Sequence, residues 1–433
     1  MTAHQKPLNP AQHGDDPLID AEVDSVPQPR VIAPPSAISR FLLGASLVLI
    51  AFNLRPVFSS ASALLPEIGR TFGLSSTGLS LLTTLPVVCL GLFSPLAPRL
   101  AQKIGAERTL LGVLALLALG TVLRSFNSIP ALFFGTALAG ACIAVGNVLL
   151  PGLVKRDFAD KTALMTGFYT MALCAGAAAA AGFTLPIEHF LDGSASAALG
   201  AWALPVLLVF LLWLPQALWL SRRPKQSGFR VQGLLRDPLA WQVTLFMGFQ
   251  SALAYSVFGW LVPILRERGL DGITAGAVVS VSVMIQAAAC LVIPHIAVRC
   301  RDQRIVVVAL LAAAVIALLG LLFAPLSIVW FCAALQGIGQ GGLIAVAMTI
   351  IVLRSPDAHV AAHLSGMAQC VGYLLAAIGP LIVGLIHSWT GSFGASAILF
   401  ISLGLCAGIA GWGAGRTAHV KARTIEVPLR ANT

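Results

Sequence analysis

The residue in this sequence best equipped for chemistry is an arginine in an apolar place. Arg55 stands in the stretch Ala51-Phe52-Asn53-Leu54-Arg55-Pro56, inside an apolar run from Phe41 to Pro66. Counting from Arg40 at a rise of about 1.5 Å per residue puts it roughly 22 Å along a helix, just past the middle of a hydrocarbon layer ~30 Å thick. An arginine at that depth costs at least ~2.5–3.5 kcal/mol on insertion scales, so it needs a compensating environment. No Asp or Glu occurs at comparable depth in any other apolar run. Pro56 removes a backbone donor and kinks a helix, which frees carbonyls beside the guanidinium. Two readings follow. Arg55 is a fixed cation facing a polar cavity, or a charge neutralised by carbonyls and neighbouring helices for packing alone.

Other polar side chains lie at depth in later apolar runs. Asn53 is two residues before the arginine, and Asn147 sits in Gly146-Asn147-Val148-Leu149-Leu150-Pro151, roughly two turns before Lys155 and Arg156. Asn147 is either hydrogen-bonding glue between helices or a cavity-lining group; Lys155 and Arg156 read as interfacial anchors. Gln250 and Tyr255 share one run, with Trp260 beyond them in position for an interfacial belt. Gln369 and Tyr373 are four residues apart and therefore share a helical face, with Gly366 on the same side. The chain has only three tyrosines, Tyr169, Tyr255 and Tyr373, all within apolar runs, where a hydroxyl needs a partner or water. The candidate substrate-binding set is thus Arg55, Asn53, Asn147, Gln250, Tyr255, Gln369 and Tyr373.

Several chemistries are disfavoured. Gly337-Ile338-Gly339-Gln340-Gly341-Gly342 has glycine spacing reminiscent of a phosphate loop, but it lies inside an apolar run with no preceding strand and reads as close helix packing. The eight cysteines show no Cys-x-x-Cys spacing and sit mostly in apolar runs, as small hydrophobes do. No cluster of His, Asp or Glu, and no Ser with a base, shares one depth. No catalytic residues, metal or cofactor are expected, and the protein does not read as an enzyme. His295 and His363 lie near the ends of runs.

The elements that must position these residues follow from composition. The chain has 433 residues, 58% of them hydrophobic and 10% charged, with a mean hydropathy of +0.89. A soluble protein carries about 25% charged residues, so this chain belongs in a lipid bilayer. The formal charge of +10 is spread over short loops rather than one basic face, which argues against nucleic acid as a partner. Apolar runs long enough to span recur near 41–66, 76–98, 109–126, 130–153, 162–186, 199–220, 239–264, 274–298, 305–323, 327–353, 362–386 and 393–414.

One set of loops holds Arg99, Lys103 and Arg108, then Lys155, Arg156 and Lys161, the cluster Arg222 to Arg236, Arg299 to Arg304, and Arg354. The opposite loops hold only Arg70, Arg124, Arg266 and Arg268. The positive-inside rule predicts both termini in the cytoplasm, with 1–39 and 415–433 as cytoplasmic tails, the first of them disordered.

The polar stretch 221–237 divides the runs six and six, giving halves 40–220 and 238–414. Pro98, Lys103 and Arg108 recur as Pro294, Arg299 and Arg304 at an offset of 196. Gly140 recurs as Gly337, and Asn53 as Gln250, at 197. The expected fold is an all-α integral membrane protein of twelve transmembrane helices in two repeated six-helix halves, an architecture whose substrate site lies near the midplane between them.

Asn53-Leu54-Arg55-Pro56, Gly146–Arg156, Thr166-Gly167 with Tyr169-Thr170, Gln250–Pro263 and Leu364–Gly391 resemble the cyanate permease / 2-nitroimidazole transporter branch of the major facilitator superfamily. The resemblance covers nearly all of 40–414. It implies an inner-membrane transporter working by alternating access, with Lys103, Gly105 and Arg108 in the gating loop. That loop departs from the usual superfamily pattern, since Gln102 stands where an Asp is usual and Pro98 where a Gly is. The expected function is movement of a small anion or compact polar heterocycle by a monomer. Efflux of a neutral aromatic or drug-like compound is the alternative within transport, and a membrane sensor is the alternative outside it. With no deep carboxylate, uniport, exchange or anion-linked coupling is expected over carboxylate-based proton symport.

Overall fold

The computed structural model describes residues 37–158, 161–219, 229–300 and 302–426. Most of the expected N-terminal tail, the stretches 159–160 and 220–228, Arg301 and the last seven residues lie outside these.

Among the described residues, twelve helices are long and apolar enough to cross a membrane. They are α1 (Arg40–Ala63), α2 (Ser76–Phe93), α3 (Ala106–Leu123), α4 (Ile129–Val154), α5 (Leu164–Phe190), α6 (Ala195–Leu218), α7 (Pro238–Glu267), α8 (Gly272–Arg299), α9 (Arg304–Phe323), α10 (Leu326–Leu353), α11 (His363–Thr390) and α12 (Ser396–Ala414). Most ends fall within a few residues of the apolar runs. The second run departs most. It continues to residue 98 in sequence, but α2 stops at Phe93 because Pro95 breaks the ladder, and a separate helix, Leu96–Ile104, begins after it. That helix closes at Gly105, whose φ of +92° only glycine adopts without strain.

Helix starts are fixed locally. Ser75 accepts from the Gly78 N–H at 3.3 Å, and Asp271 from the Thr274 N–H at 2.9 Å. Asp237 accepts from the Leu239 N–H at 2.7 Å and so caps α7. Between the first six and last six spans, α5 packs along α8, α2 along α11, and the second part of α1 against α7. The Gly337–Gly342 stretch packs as expected. A Cβ on Gly337 would lie 2.3 Å from the Ser282 carbonyl oxygen, and one on Gly341 2.3 Å from that of Gln286, so α8 and α10 touch backbone to backbone.

One face, here the near face, carries features the sequence did not announce. Residues Phe229–Gln232 (β1) pair antiparallel with Arg423–Glu426 (β2), with Phe229 opposite Glu426 and Gln232 opposite Arg423. Arg354, at the end of α10, gathers the neighbouring chain ends. Its Nε donates to the Ala414 carbonyl at 3.0 Å, and its Nη2 to the Gly415 carbonyl at 3.0 Å and to Gln303. Its own carbonyl accepts from the Val420 N–H at 2.9 Å. The second carboxylate oxygen of Asp237 accepts from the Lys421 N–H. The C-terminal segment is thereby fastened to α7, α10 and α12.

Candidate functional site

The break in α1 builds the centre of the site. The helix Ala37–Asn53 stops, Leu54 and Arg55 form a turn, and Pro56 opens the helix Pro56–Ala63 as its first residue. Arg55 is half-buried at this break. Its Nη1 donates to the Tyr255 hydroxyl on α7 at 3.2 Å, and its guanidinium lies 5.9 Å from the centre of that ring. No carboxylate pairs with it among the described residues. Tyr255 meets Tyr373 of α11 edge-on at 5.9 Å, with Phe58 at 5.6 Å and Phe258 at 6.2 Å from its ring. One cation therefore stands at an aromatic wall drawn from α1, α7 and α11.

The other candidates divide. Asn53 is buried, donating to the Leu49 carbonyl at 2.9 Å while its side-chain oxygen has no partner. Asn147 is half-buried with an unpartnered amide nitrogen. Gln369 is half-buried and donates to the Ser365 hydroxyl at 3.0 Å. Gln250 is fully buried within the last six spans, donating to Ser251 at 2.8 Å. The Gln340 amide in turn donates to the Gln250 backbone carbonyl at 3.0 Å. The sequence singled out neither Gln340 nor Gln336, which accepts from Ser282 at 2.8 Å. Their four-residue spacing on one face of α10 was the available signal, hidden among the glycines.

In the gating loop, Lys103 and Arg108 are exposed. The buried acid beside them, Glu107, takes Arg156 of the α4 end at 2.6 Å, and Arg156 also holds Asp157 at 2.8 Å. The ion pair beside this loop is thus made by Glu107, while position 102 carries an exposed, uncharged Gln.

The far face carries a second polar assembly. Arg266 at the end of α7 forms a bidentate pair with Glu67, at 2.9 and 2.8 Å, across to the short helix Leu65–Phe72 that follows α1. His387 of α11 lies 3.0 Å from Glu267, 3.4 Å from the Ser76 hydroxyl of α2, and stacked at 4.1 Å on Phe393. Trp260, expected in a lipid-facing belt, is instead buried here, donating to the Pro380 carbonyl at 2.8 Å and packing on Phe393. An external cavity of about 500 Å³ opens among these residues. A separate cavity beside Tyr255 and Phe58 holds about 10 Å³, no more than one water. The Glu67–Arg266 bridge and the Ser76–His387 contact join the first six and last six spans across this face.

Arg124, one of the sparse positive charges of this face, is fully buried, and none of its three guanidinium nitrogens has a partner among the described residues. Burial pushes its guanidinium down to about 10.

The family model described as Major Facilitator Superfamily matches residues 41–332 and 244–430. The chain is 39% identical over 388 residues to a 2-nitroimidazole transporter of Escherichia coli (strain K12), covering 88% of this chain and 98% of that protein. It is 27% identical over 352 residues to the cyanate transport protein CynX of the same organism, covering 80% of this chain and 90% of that one. Among solved structures, a point mutant of the nucleoside transporter NupG superposes with a TM-score of 0.68 at 12% identity, over 86% of this chain and all of that one.

Proposed function

Because this chain belongs to the major facilitator superfamily and is a multi-pass membrane transporter, we propose that its cargo is a small anion or a compact polar heterocycle, carried by rocking of two six-helix halves around Arg55. The observation that carries this reading is the guanidinium at the α1 break, which has a tyrosine hydroxyl but, among the described residues, no carboxylate. A guanidinium stays charged and offers a planar fork of donors. An anionic cargo supplies the missing counter-charge, and in a low-dielectric cavity that contact is stronger than in water. The ring edges and faces of Tyr255, Tyr373 and Phe58 suit a flat molecule beside the charge. The names of two relatives, one for 2-nitroimidazole and one for cyanate, fit this class. Asn53, Asn147, Gln250, Gln369 and Tyr373 are assigned as supporting groups, Gln250 through its hold on α10.

Because the Glu67–Arg266 bridge and the Ser76–His387 contact join the two halves there, we assign the structure to a state closed at the far face, and the near face to the cytoplasm by its excess of Lys and Arg. The membrane is then the inner membrane. The test is ligand-induced thermal stabilisation of purified protein by cyanate and by 2-nitroimidazole. Arg55→Ala and Arg55→Lys should both lose the stabilisation, because lysine keeps the charge without the fork. Monodisperse Arg55→Ala that still binds either compound with unchanged affinity overturns the assignment and returns Arg55 to a packing role.

A further inference from the structure

The far-face gate holds two acid–base pairs side by side, and they are divided unequally between the parts that must separate. Glu67 belongs to the first six spans and Arg266 to the last six, so the Glu67–Arg266 bridge exists only while this face is closed. Glu267, His387 and Phe393 all belong to the last six spans. The Phe393 N–H donates to one oxygen of Glu267 at 3.2 Å, while His387 meets the other oxygen at 3.0 Å. Among the described residues, the Ser76 hydroxyl is the hydrogen-bonding group of the first six spans that meets the imidazole.

The charges decide which protonation state each gate position prefers. In the closed gate Glu67 neutralises Arg266, which leaves Glu267 to His387. The four groups sum to zero with an imidazolium and to −1 with a neutral ring. When the gate opens Glu67 departs, and the unpaired Arg266, adjacent in sequence to Glu267, competes for that carboxylate. The three remaining groups then sum to +1 with an imidazolium and to zero without it. Closure therefore favours the charged ring and opening the neutral one. The Ser76 hydroxyl fits both, donating to a neutral Nδ1 and accepting from a protonated one, and the second bond is the stronger because it is charge-assisted.

The other ionisable groups around the gate do not substitute. Arg268 is engaged with the Leu321 and Ala324 carbonyls. Asp271 caps α8, and the Thr274 hydroxyl and N–H hold its carboxyl below the usual carboxylate range. Arg70 is an exposed cation at the cavity mouth. An imidazole is the one side chain here whose charge ordinarily changes between about pH 5 and 8.

We propose that this gate is a proton-binding site, in which His387 takes a proton from the far-face solution as the gate closes and returns it as the gate opens. The proton does not cross the membrane by this route. It acts as a brake, so acid on the far side holds the transporter shut there. The inference rests on the rocking of two halves proposed above.

The experiment measures spin-label distances between Thr71→Cys and Thr390→Cys, both exposed at this face on opposite sides of the gate. It uses purified full-length protein with the eight native cysteines replaced, titrated from pH 8 to pH 5. The expected result is a short and a long distance whose ratio moves about fivefold or more toward the short one on acidification. His387→Gln should remove the pH dependence. Glu67→Gln should also flatten it with the imidazole still present, because Arg266 is then unpaired in both positions. Two distances whose ratio ignores pH overturn the proton site alone, as does undiminished dependence in His387→Gln or in Glu67→Gln. A single distance in every sample overturns the proton site and the rocking motion together.

Discussion

Gly384 of α11 lies where the far-face gate is tightest. A Cβ there would stand 1.7 Å from the Ser80 Oγ of α2, 2.7 Å from the Ser80 Cβ, and 2.4 Å from the Trp260 Cζ2. The Ser80 hydroxyl is pinned, donating to the Ser76 carbonyl at 2.7 Å, and Ser80 and Trp260 are both buried. Non-bonded carbon atoms sit at about 3.5–4.0 Å. Turning the hydroxyl away leaves the Cβ–Cβ contact roughly an ångström short of that, so α2 and α11 must move apart. Overpacking of this kind costs about 1–3 kcal/mol. Trp260 lies in the same six spans as Gly384 and meets the added methyl in either gate position, so only the Ser80 part falls on the closed gate. That part lowers the closed-to-open ratio by at most about 5- to 150-fold, at roughly 1.4 kcal/mol per factor of ten. The expected outcome for Gly384→Ala is normal folded yield, a shift of the Thr71–Thr390 label distance toward the longer population, and transport in proteoliposomes reduced by about fivefold. Ser80→Ala added to it should recover part of the loss, since it removes the closest clashing atom. Wild-type distances and wild-type transport in Gly384→Ala would refute the view that this contact is made only when the gate is shut.

Exchanging the charges of the bridge, with Glu67→Arg and Arg266→Glu together, should restore closure lost in either single variant, read by the same label distances. Gln250→Ala and Asn53→Ala should each weaken apparent affinity for cargo at normal protein levels, measured by initial uptake rates in proteoliposomes. Single cysteines introduced as Ser227→Cys and Thr424→Cys in a cysteine-free background should resist a membrane-impermeant thiol reagent in intact cells, while Asp271→Cys is labelled; the reverse pattern inverts the assigned orientation. Arg124→Met should leave thermal stability unchanged or raise it, because an unpaired buried charge is exchanged for an apolar chain of similar length. The folded state depresses the Arg124 guanidinium to about 10. Its charged form therefore opposes folding at neutral pH, and the wild type should gain stability relative to Arg124→Met as pH rises through that value.

Membrane insertion leaves a strong mark on sequence, which is why the twelve spans were legible. Each is an apolar run of sufficient length, and the boundaries slipped chiefly where Pro95 cut a run that hydropathy alone carried on. The break at Arg55-Pro56 was legible because proline chemistry is local. So was the absence of a carboxylate partner, a property of composition at depth. The far-face gate was not. Glu67, Arg266, Glu267 and His387 lie at run ends, where charge is ordinary, and the bridge joins residues 199 apart. Gln250 illustrates the limit differently. Its depth and its match to Asn53 singled it out, but only the packing of α7 on α10 shows its amide turned toward Ser251 and its carbonyl toward Gln340. The β1–β2 pairing was invisible for the same reason, since four-residue strands in a polar linker and a polar tail carry little periodic signal.

That small sheet sets the length of a leash. Because β1 is paired with the C-terminal segment, and Asp237 clasps Lys421 beside it, the connecting polypeptide is already anchored to the last six spans by residue 229. Nine residues, 220–228, separate Trp219 from that anchor, and a chain of nine residues spans at most roughly 30 Å. Without the sheet that stretch would run on to the start of α7 at Pro238, eighteen residues in place of nine, and its greatest reach would double. The C-terminal strand thus limits how far α6 can travel from α7, and deleting residues 421–433 lengthens the tether without touching a single transmembrane side chain.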